Sequence, residues 1–254
     1  MNLDKLLQLA LNASKKASKA ILNEKNSLKI WHKKDGTPLS SADLLSNEIL
    51  CDELSKSDIA VCSEEKPLPF EQRKHLSCFW LIDPLDGTKG FLKQSEEYCI
   101  LIALIFGKRP ILSVITQPSN DDSFYAHAQS KVYKNDKILI KDEKCFQAHK
   151  NIALTSVHHP NAQNKAFLEK NKLKALQISS ALKFTALLEG RAGVYHRFEN
   201  LHSWDIAAGD FLLQQNGGFM GDFNKKAISY NEKGFLAPPF LALAQEEFAN
   251  EIIF

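Results

Sequence analysis

The sequence predicts a mixed chain, an α+β first half followed by an α/β second half. Three patterns carry this reading: two amphipathic helical stretches near the start, a consecutive run of short β-type segments after them, and strand–helix alternation beyond residue 150. Residues 1–24 place Leu3, Leu6, Leu7, Ala10, Ala13, Ala17 and Ile21 at helical spacing with lysines on the other side, and no uninterrupted apolar core of a signal peptide is present. The stretch reads as a helix of the mature fold. Residues 41–54 predict a second helix, with Leu44, Leu45, Ile49, Leu50 and Leu54 on its apolar side and Asp43 in its first turn. Strands are expected at 59–62, 78–82, 99–106, 111–116 and 123–127, and their succession predicts an antiparallel sheet.

After a polar stretch at 135–150 the rhythm changes. Strands are expected at 151–155, 176–179 and 193–196, and helices at 161–171, 181–189 and 204–215. A boundary near residue 150 divides the chain into domains 1–150, sheet-rich, and 151–254, α/β. The lysine pairs Lys15-Lys16 and Lys33-Lys34 read as solvated faces.

Composition narrows the class. Of 254 residues, 44% are hydrophobic and 24% charged, which fits a folded domain and excludes disordered, collagen-like and coiled-coil chains. The formal charge of +2 is too small to predict a surface for a nucleic-acid polymer. The apolar runs 100–106 and 235–243 are far shorter than the ~20 residues of a membrane-spanning helix, so no transmembrane segment is expected. Five cysteines, odd in number and without a CxxC pair, argue against a disulfide framework or zinc site and for a reducing cytoplasm. A loose association with the cytoplasmic membrane face stays open. His158-His159, before Pro160, point opposite ways in an extended segment and read as loop histidines rather than metal ligands.

The informative segment is Asp83-Pro84-Leu85-Asp86-Gly87-Thr88, where a buried strand is expected to end in two carboxylates. Asp-Pro and Asp-Gly are turn formers, so each dipeptide alone needs no further explanation. A second strand, however, also ends in acid at Glu64-Glu65, and a late helix begins His202-Ser203-Trp204-Asp205, with Ser203 expected as its N-cap. Mg²⁺ takes oxygen ligands, usually a few carboxylates together with substrate phosphate oxygens, and Glu64, Asp83, Asp86 and Asp205 offer such a set. Paired Mg²⁺ ions activate water and neutralise a leaving oxygen, so phosphate monoester hydrolysis is the expected reaction class.

Glu64-Glu65, Asp83-Pro-Leu-Asp86-Gly-Thr88 and Trp204-Asp205-Ile-Ala-Ala-Gly209, in that order, resemble the three-part signature of the inositol monophosphatase superfamily of Mg²⁺-dependent phosphatases. The resemblance covers essentially the whole chain. It implies a layered α-β-α-β-α sandwich and two or three Mg²⁺ ions. Thr88-Lys89-Gly90-Phe91, Ser179-Ser180-Ala-Leu-Lys183-Phe184 and Tyr195-His-Arg197-Phe198 are most similar to the CysQ-type 3'(2'),5'-bisphosphate nucleotidase branch, whose members convert adenosine 3',5'-bisphosphate to AMP. Two departures stand out: Gly90 where many bacterial nucleotidases have Glu, and a 198–203 segment unlike the Gly-Pro-Thr-Asn of some relatives.

The resemblance implies that Glu64, Asp83 and the Leu85 carbonyl hold one ion, and that Asp83, Asp86 and Asp205 hold the second. Thr88 and Asp43 match the dyad that orients the attacking water and accepts its proton, and Glu65 holds a water or a third ion. Gly87, Thr88, Lys89, Ser180, Lys183 and Arg197 are the implied substrate contacts, the last two suited to a second phosphate although basic residues on such a face are solvated by default. The implied partner is a small phosphomonoester, a nucleoside bisphosphate; the chain itself is a monomer or homodimer. Three alternatives remain. Inositol-1-phosphate hydrolysis is the first, for which the family's hydroxyl-binding Glu falls at Phe198 here, with Glu199 one residue off. A haloacid-dehalogenase phosphatase needs acids two apart rather than the three of Asp83 and Asp86, and a nucleotide sensor without turnover would not need an intact acid set.

Overall fold

A computed structural model describes residues 1–156, 162–199 and 201–253. Helix α1 (Leu3–Glu24) is capped by Asn2, whose side chain accepts the Lys5 N–H at 3.0 Å, and it buries Leu7, Ala10, Ala13, Ala17 and Ile21 as its periodicity requires. A two-stranded hairpin follows, β1 (Ile30–His32) and β2 (Pro38–Ser40), which the sequence reading did not foresee. It delivers the chain directly into α2 (Ser41–Ser55), whose capping box pairs Ser40 with Asp43 and so fixes Asp43 in the first turn as expected.

The next elements are β3 (Val61–Ser63), α3 (Phe70–Arg73), β4 (Cys78–Asp86), α4 (Thr88–Leu92), β5 (Cys99–Phe106), β6 (Arg109–Gln117), β7 (Asp122–His127), β8 (Tyr133–Lys134) and β9 (Lys137–Ile138). Their strands form a seven-stranded sheet in chain order from β3 to β9. The expected antiparallel pairing holds from β4 onward, but β3 and β4 run parallel, because the α3-containing connection carries the chain back before β4 begins. Strand β5 is apolar at almost every position because both its faces are covered: α1 and α2 pack on one side of the sheet.

Helix α5 (Glu143–His149) lies within the stretch expected to be a polar link, and it buries Phe146. Then come β10 (Ile152–Thr155), α6 (Ala162–Lys170), β11 (Lys174–Gln177), α7 (Leu182–Leu188), β12 (Val194–Arg197), α8 (Ser203–Gln215), β13 (Phe219–Asp222) and β14 (Phe240–Leu243). The second sheet has the order β11-β10-β12-β14-β13, parallel through the alternating part and antiparallel at β14 and β13, which no helix separates. His158 and His159 lie outside the described residues.

Helix α8 is the middle layer. It packs on β4, β5 and β6 with one side and on α7, β13 and β14 with the other, so nearly all its residues are buried. Neighbouring residues of β12 face opposite ways: Tyr195 meets Phe184 of α7 edge-on at 5.3 Å, and His196 lies on Phe167 of α6 at 4.4 Å. Helix α6 therefore covers the outer face of the second sheet. The order α1/α2, large sheet, α7/α8, small sheet, α6 is the five-layer α-β-α-β-α sandwich expected.

Candidate active site

Strand β4 does not stop before its acids; it continues to Asp86. In an unbroken strand residues three apart point to opposite faces, which would separate Asp83 from Asp86. The register shifts between them instead: Asp83 stands opposite Leu101 and Asp86 opposite Cys99, so β4 spends one residue more than β5 over the same span. Pro84, which has no N–H to leave unpaired, sits in this bulge, and its carbonyl accepts the Ser46 hydroxyl of α2 at 2.7 Å. The bulge turns both carboxylates to one side. There they meet Asp205 from the first turn of α8, and oxygen atoms of the three lie within 4.8 Å of one another.

The residue capping α8 is His202 rather than Ser203: its N–H donates to the Asp205 carboxylate at 2.8 Å, while the Ser203 hydroxyl is turned to the Phe235 carbonyl at 2.9 Å. Burial and the neighbouring carboxylates Glu64, Asp86 and Asp205 push Asp83 well above the usual carboxylate range. Asp205 is raised by burial and by Asp86 and Glu64, and burial lifts Asp86 to about 6 against the pull of Lys183 and the Ala181 N–H. Three carboxylates, Asp83 buried and Asp86 and Asp205 part-buried, that repel one another and supply only oxygen donors fit a hard divalent cation such as Mg²⁺.

Glu64, at the end of β3, is held elsewhere. Lys33 donates to Glu64 at 2.6 Å and to Glu65 at 2.8 Å. Although burial opposes it, these two carboxylates hold the Lys33 ammonium above its ordinary pKa, and Glu65 is raised by burial against the pull of Lys33. Reading Lys33 as a solvated face is thus corrected. The turn at Gly36, with φ +82°, and the Lys33 N–H to Thr37 carbonyl bond of 2.8 Å return the chain over the site. The Asp35-Gly36 dipeptide, a hairpin signal, was the clue available in the sequence.

Thr88 opens α4. Its hydroxyl lies 2.7 Å from the Asp43 carboxylate and 3.0 Å from the Leu85 carbonyl. Asp43 is buried, which raises its pKa, while hydrogen bonds from Ser40 and Thr88 pull the other way. Gly87 adopts φ +97°, and a Cβ there would stand 2.9 Å from the Glu97 carbonyl, so no side chain fits.

A cavity of about 390 Å³ joins these groups, a size suited to a small molecule. Glu64, Asp83, Leu85, Asp86, Gly87, Thr88, Lys89, Ser180, Lys183, Arg197 and Asp205 all line it. Of the site residues read from the sequence, Asp43 and Glu65 stand behind the wall, each one hydrogen bond away from a lining residue, Thr88 and Lys33 respectively. Lys183 and Arg197 are not solvated: they are 5% and 6% exposed. Burial lowers Lys183 to about 8 against the attraction of Asp86, and its ammonium donates to the Ser180 carbonyl at 2.8 Å. Ser180 holds a left-handed backbone at φ +57°, and the next residue, Ala181, donates its N–H to Asp86, tying β4 to the start of α7. Tyr195, in a segment the resemblance assigned to the pocket, lines the cavity, whereas the sequence reading missed His202 and Trp204 as lining residues; these two stack at 4.8 Å with planes 11° apart. Glu199 does not line the cavity and lies 3.4 Å from the Arg197 Nε, while Phe198 stacks on Phe223.

A family model described as "Inositol monophosphatase family" matches residues 2–253. The chain belongs to the inositol monophosphatase family. Among curated relatives of this family member, the 3'(2'),5'-bisphosphate nucleotidase CysQ of Escherichia coli O6:H1 is 34% identical over 242 residues, covering 94% of this chain and 98% of that protein. The CysQ of Buchnera aphidicola subsp. Acyrthosiphon pisum is 35% identical over 247 residues, 92% of each chain. Among solved structures, CysQ from Bacteroides thetaiotaomicron, described as a bacterial member of the inositol monophosphatase family, superposes with a TM-score of 0.82 at 26% identity, covering 96% of this chain and 98% of that one. Among the described residues no helix is long and apolar enough to cross a membrane.

Proposed function

We propose that this family member is a Mg²⁺-dependent phosphatase that removes the 3'-phosphate of adenosine 3',5'-bisphosphate, giving AMP and phosphate. The observation that carries the reading is the polarity of one cavity: an acid cluster of buried Asp83 with part-buried Asp86 and Asp205, and two buried cations, Lys183 and Arg197, all lining it. Lys183 turns its ammonium to a backbone carbonyl and, among the described residues, Arg197 meets only the Glu199 carboxylate, at 3.4 Å, so the two cations together favour an anionic ligand. A bisphosphate offers one phosphate to the acid side with its metal and a second to the basic side. Its relatives named CysQ are bisphosphate nucleotidases, which supports the same substrate. Glu199, turned to Arg197, gives the inositol reading no side chain in the cavity.

Asp83, Asp86 and Asp205 would hold one Mg²⁺; Glu64, Asp83 and the Leu85 carbonyl would hold another, and Glu65 a water or a third ion. Bound there, Mg²⁺ polarises the phosphoryl group and makes a nearby water more acidic. Thr88 donates its own proton to Asp43, which leaves an oxygen lone pair to accept from the attacking water; Asp43, raised by burial, takes the proton at the end of this relay. Gly87 leaves room for the phosphate against the backbone, and Lys89 and Ser180 stand at its edge. We also place the site between functional halves 1–150 and 151–254, and the protein in a reducing cytoplasm, which its five free cysteines suit.

Replacing both Lys183 and Arg197 by Met tests the basic pole. The double variant is expected to lose ~100-fold or more in kcat/KM for adenosine 3',5'-bisphosphate and far less for adenosine 3'-monophosphate, since charge-assisted bonds are worth roughly 1.5–3 kcal/mol each. Equal losses on both substrates would contradict the role.

A further inference from the structure

Arg73, the last residue of α3, is fully buried, yet among the described residues no carboxylate pairs with it. Its guanidinium donates to the Asn231 side-chain oxygen at 2.7 Å and to the backbone carbonyls of Glu232 and Gly234 at 2.9 and 3.1 Å. It also lies over the Phe235 ring, 4.3 Å from its centre. Burying an uncompensated cation costs several kcal/mol, and an apolar side chain of similar volume is often as good or better for stability. The residue is therefore expected to specify a geometry. What it grips is a segment without regular structure, 231–235, which needs an external mould.

That segment reaches the acid cluster in two steps. The Phe235 carbonyl accepts the Ser203 N–H at 2.7 Å and the Ser203 hydroxyl at 2.9 Å, and the Ala237 N–H donates to the Leu201 carbonyl at 2.8 Å. A short antiparallel bridge, His202 to Leu236, results. It fixes the entry to α8, where the Phe235 ring packs on Trp204 at 4.8 Å and the His202 N–H holds the Asp205 carboxylate. At its other end Arg73 belongs to the connection that leaves Glu64 and Glu65. One guanidinium thus joins the stretch of chain after Glu64 to the stretch that aims Asp205.

We propose that Arg73 is a positioning residue for Asp205, setting the geometry in which the acid cluster receives its cation. The proposal rests on the reading of Asp205 as a cation-holding residue. Arg73→Met removes the donor fork and keeps an apolar stem. In the folded variant, calorimetry with Mg²⁺ is expected to show a dissociation constant raised about tenfold, the size usual for residues that orient metal ligands. Hydrogen exchange should quicken at the amides of 203–205 and 235–237 and stay unchanged along β5. In turnover, KM for substrate at saturating Mg²⁺ should hold while the Mg²⁺ concentration for half-maximal rate rises, and Arg73→Lys should recover part of the loss. An unchanged Mg²⁺ dissociation constant in folded Arg73→Met overturns the proposal. If that variant does not fold, Asn231→Ala, which removes one acceptor, decides: weaker Mg²⁺ binding supports the proposal and unaltered binding overturns it. Asp205→Asn separates the two levels. Mg²⁺ binding unaffected by Asp205→Asn refutes the underlying reading itself, whereas loss there with no effect at Arg73 refutes only the positioning role.

Discussion

Asp83 is 2% exposed and faces other carboxylates on several sides. An amide in its place keeps an oxygen to accept the Leu85 N–H, now 3.0 Å from the carboxylate, and removes one charge from a repelling group. Asp83→Asn is accordingly expected to lose Mg²⁺-supported turnover while melting higher than the wild type in EDTA, by about 2–4 °C for each kcal/mol of repulsion relieved. Calorimetric scans with and without Mg²⁺ check this; retained turnover would contradict the role. His196 presents another buried polar group, with neither ring nitrogen bonded among the described residues. Burial lowers it to about 4, so the folded protein holds it neutral where the unfolded chain, near 6.5, already binds a proton. Its contribution is therefore full above pH 6.5 and is lost as pH falls toward 4, a total of about 3 kcal/mol. Stability curves of wild type and His196→Phe should converge or separate with pH only in that window, the wild type losing ground as acid is added.

At the scale of elements, the close crossing of α7 and α8 explains a motif glycine without chemistry. A Cβ on Gly209 would stand 2.2 Å from the Phe184 ring. Gly209→Ala should cost about 1–3 kcal/mol or more in urea unfolding, and Phe184→Leu in the same chain should return part of it. The elements also show where sequence reasoning reached its limit. The Asp83 to Thr88 stretch was legible because turn formers and acids stand together in six residues, whereas its bulge was not, since only pairing with β5 reveals the extra residue. Lys33 carried no local sign of its partners, which come from a strand end some thirty residues on. Strands β13 and β14 went unread because β13 contains Gly221 just after Gly217-Gly218, and β14 starts directly after Pro238-Pro239, both of which read as turn signals. Arg73 is written as one charge among many in a polar stretch; only the folded chain shows it buried.

Across the whole molecule, α8 lies between the two sheets and carries Asp205 at its N-terminal end, against the bulged strand of the large sheet. The site therefore depends on contacts that join chain-distant halves, Asp86 with the Ala181 N–H and Glu97 with the Ser179 N–H at 2.8 Å, and on the Thr88–Asp43 bond within the first half. The formal charge of +2 hides this division into an acidic and a basic pole. Both poles are used at once only by a ligand with two anionic groups. The central claim is tested most directly by comparing kcat/KM for adenosine 3',5'-bisphosphate and inositol-1-phosphate in Mg²⁺, with phosphate release as the readout. The account predicts Mg²⁺-dependent release with a clear preference for the bisphosphate; preference for the inositol phosphate, or binding of the bisphosphate with no release at all, would contradict it.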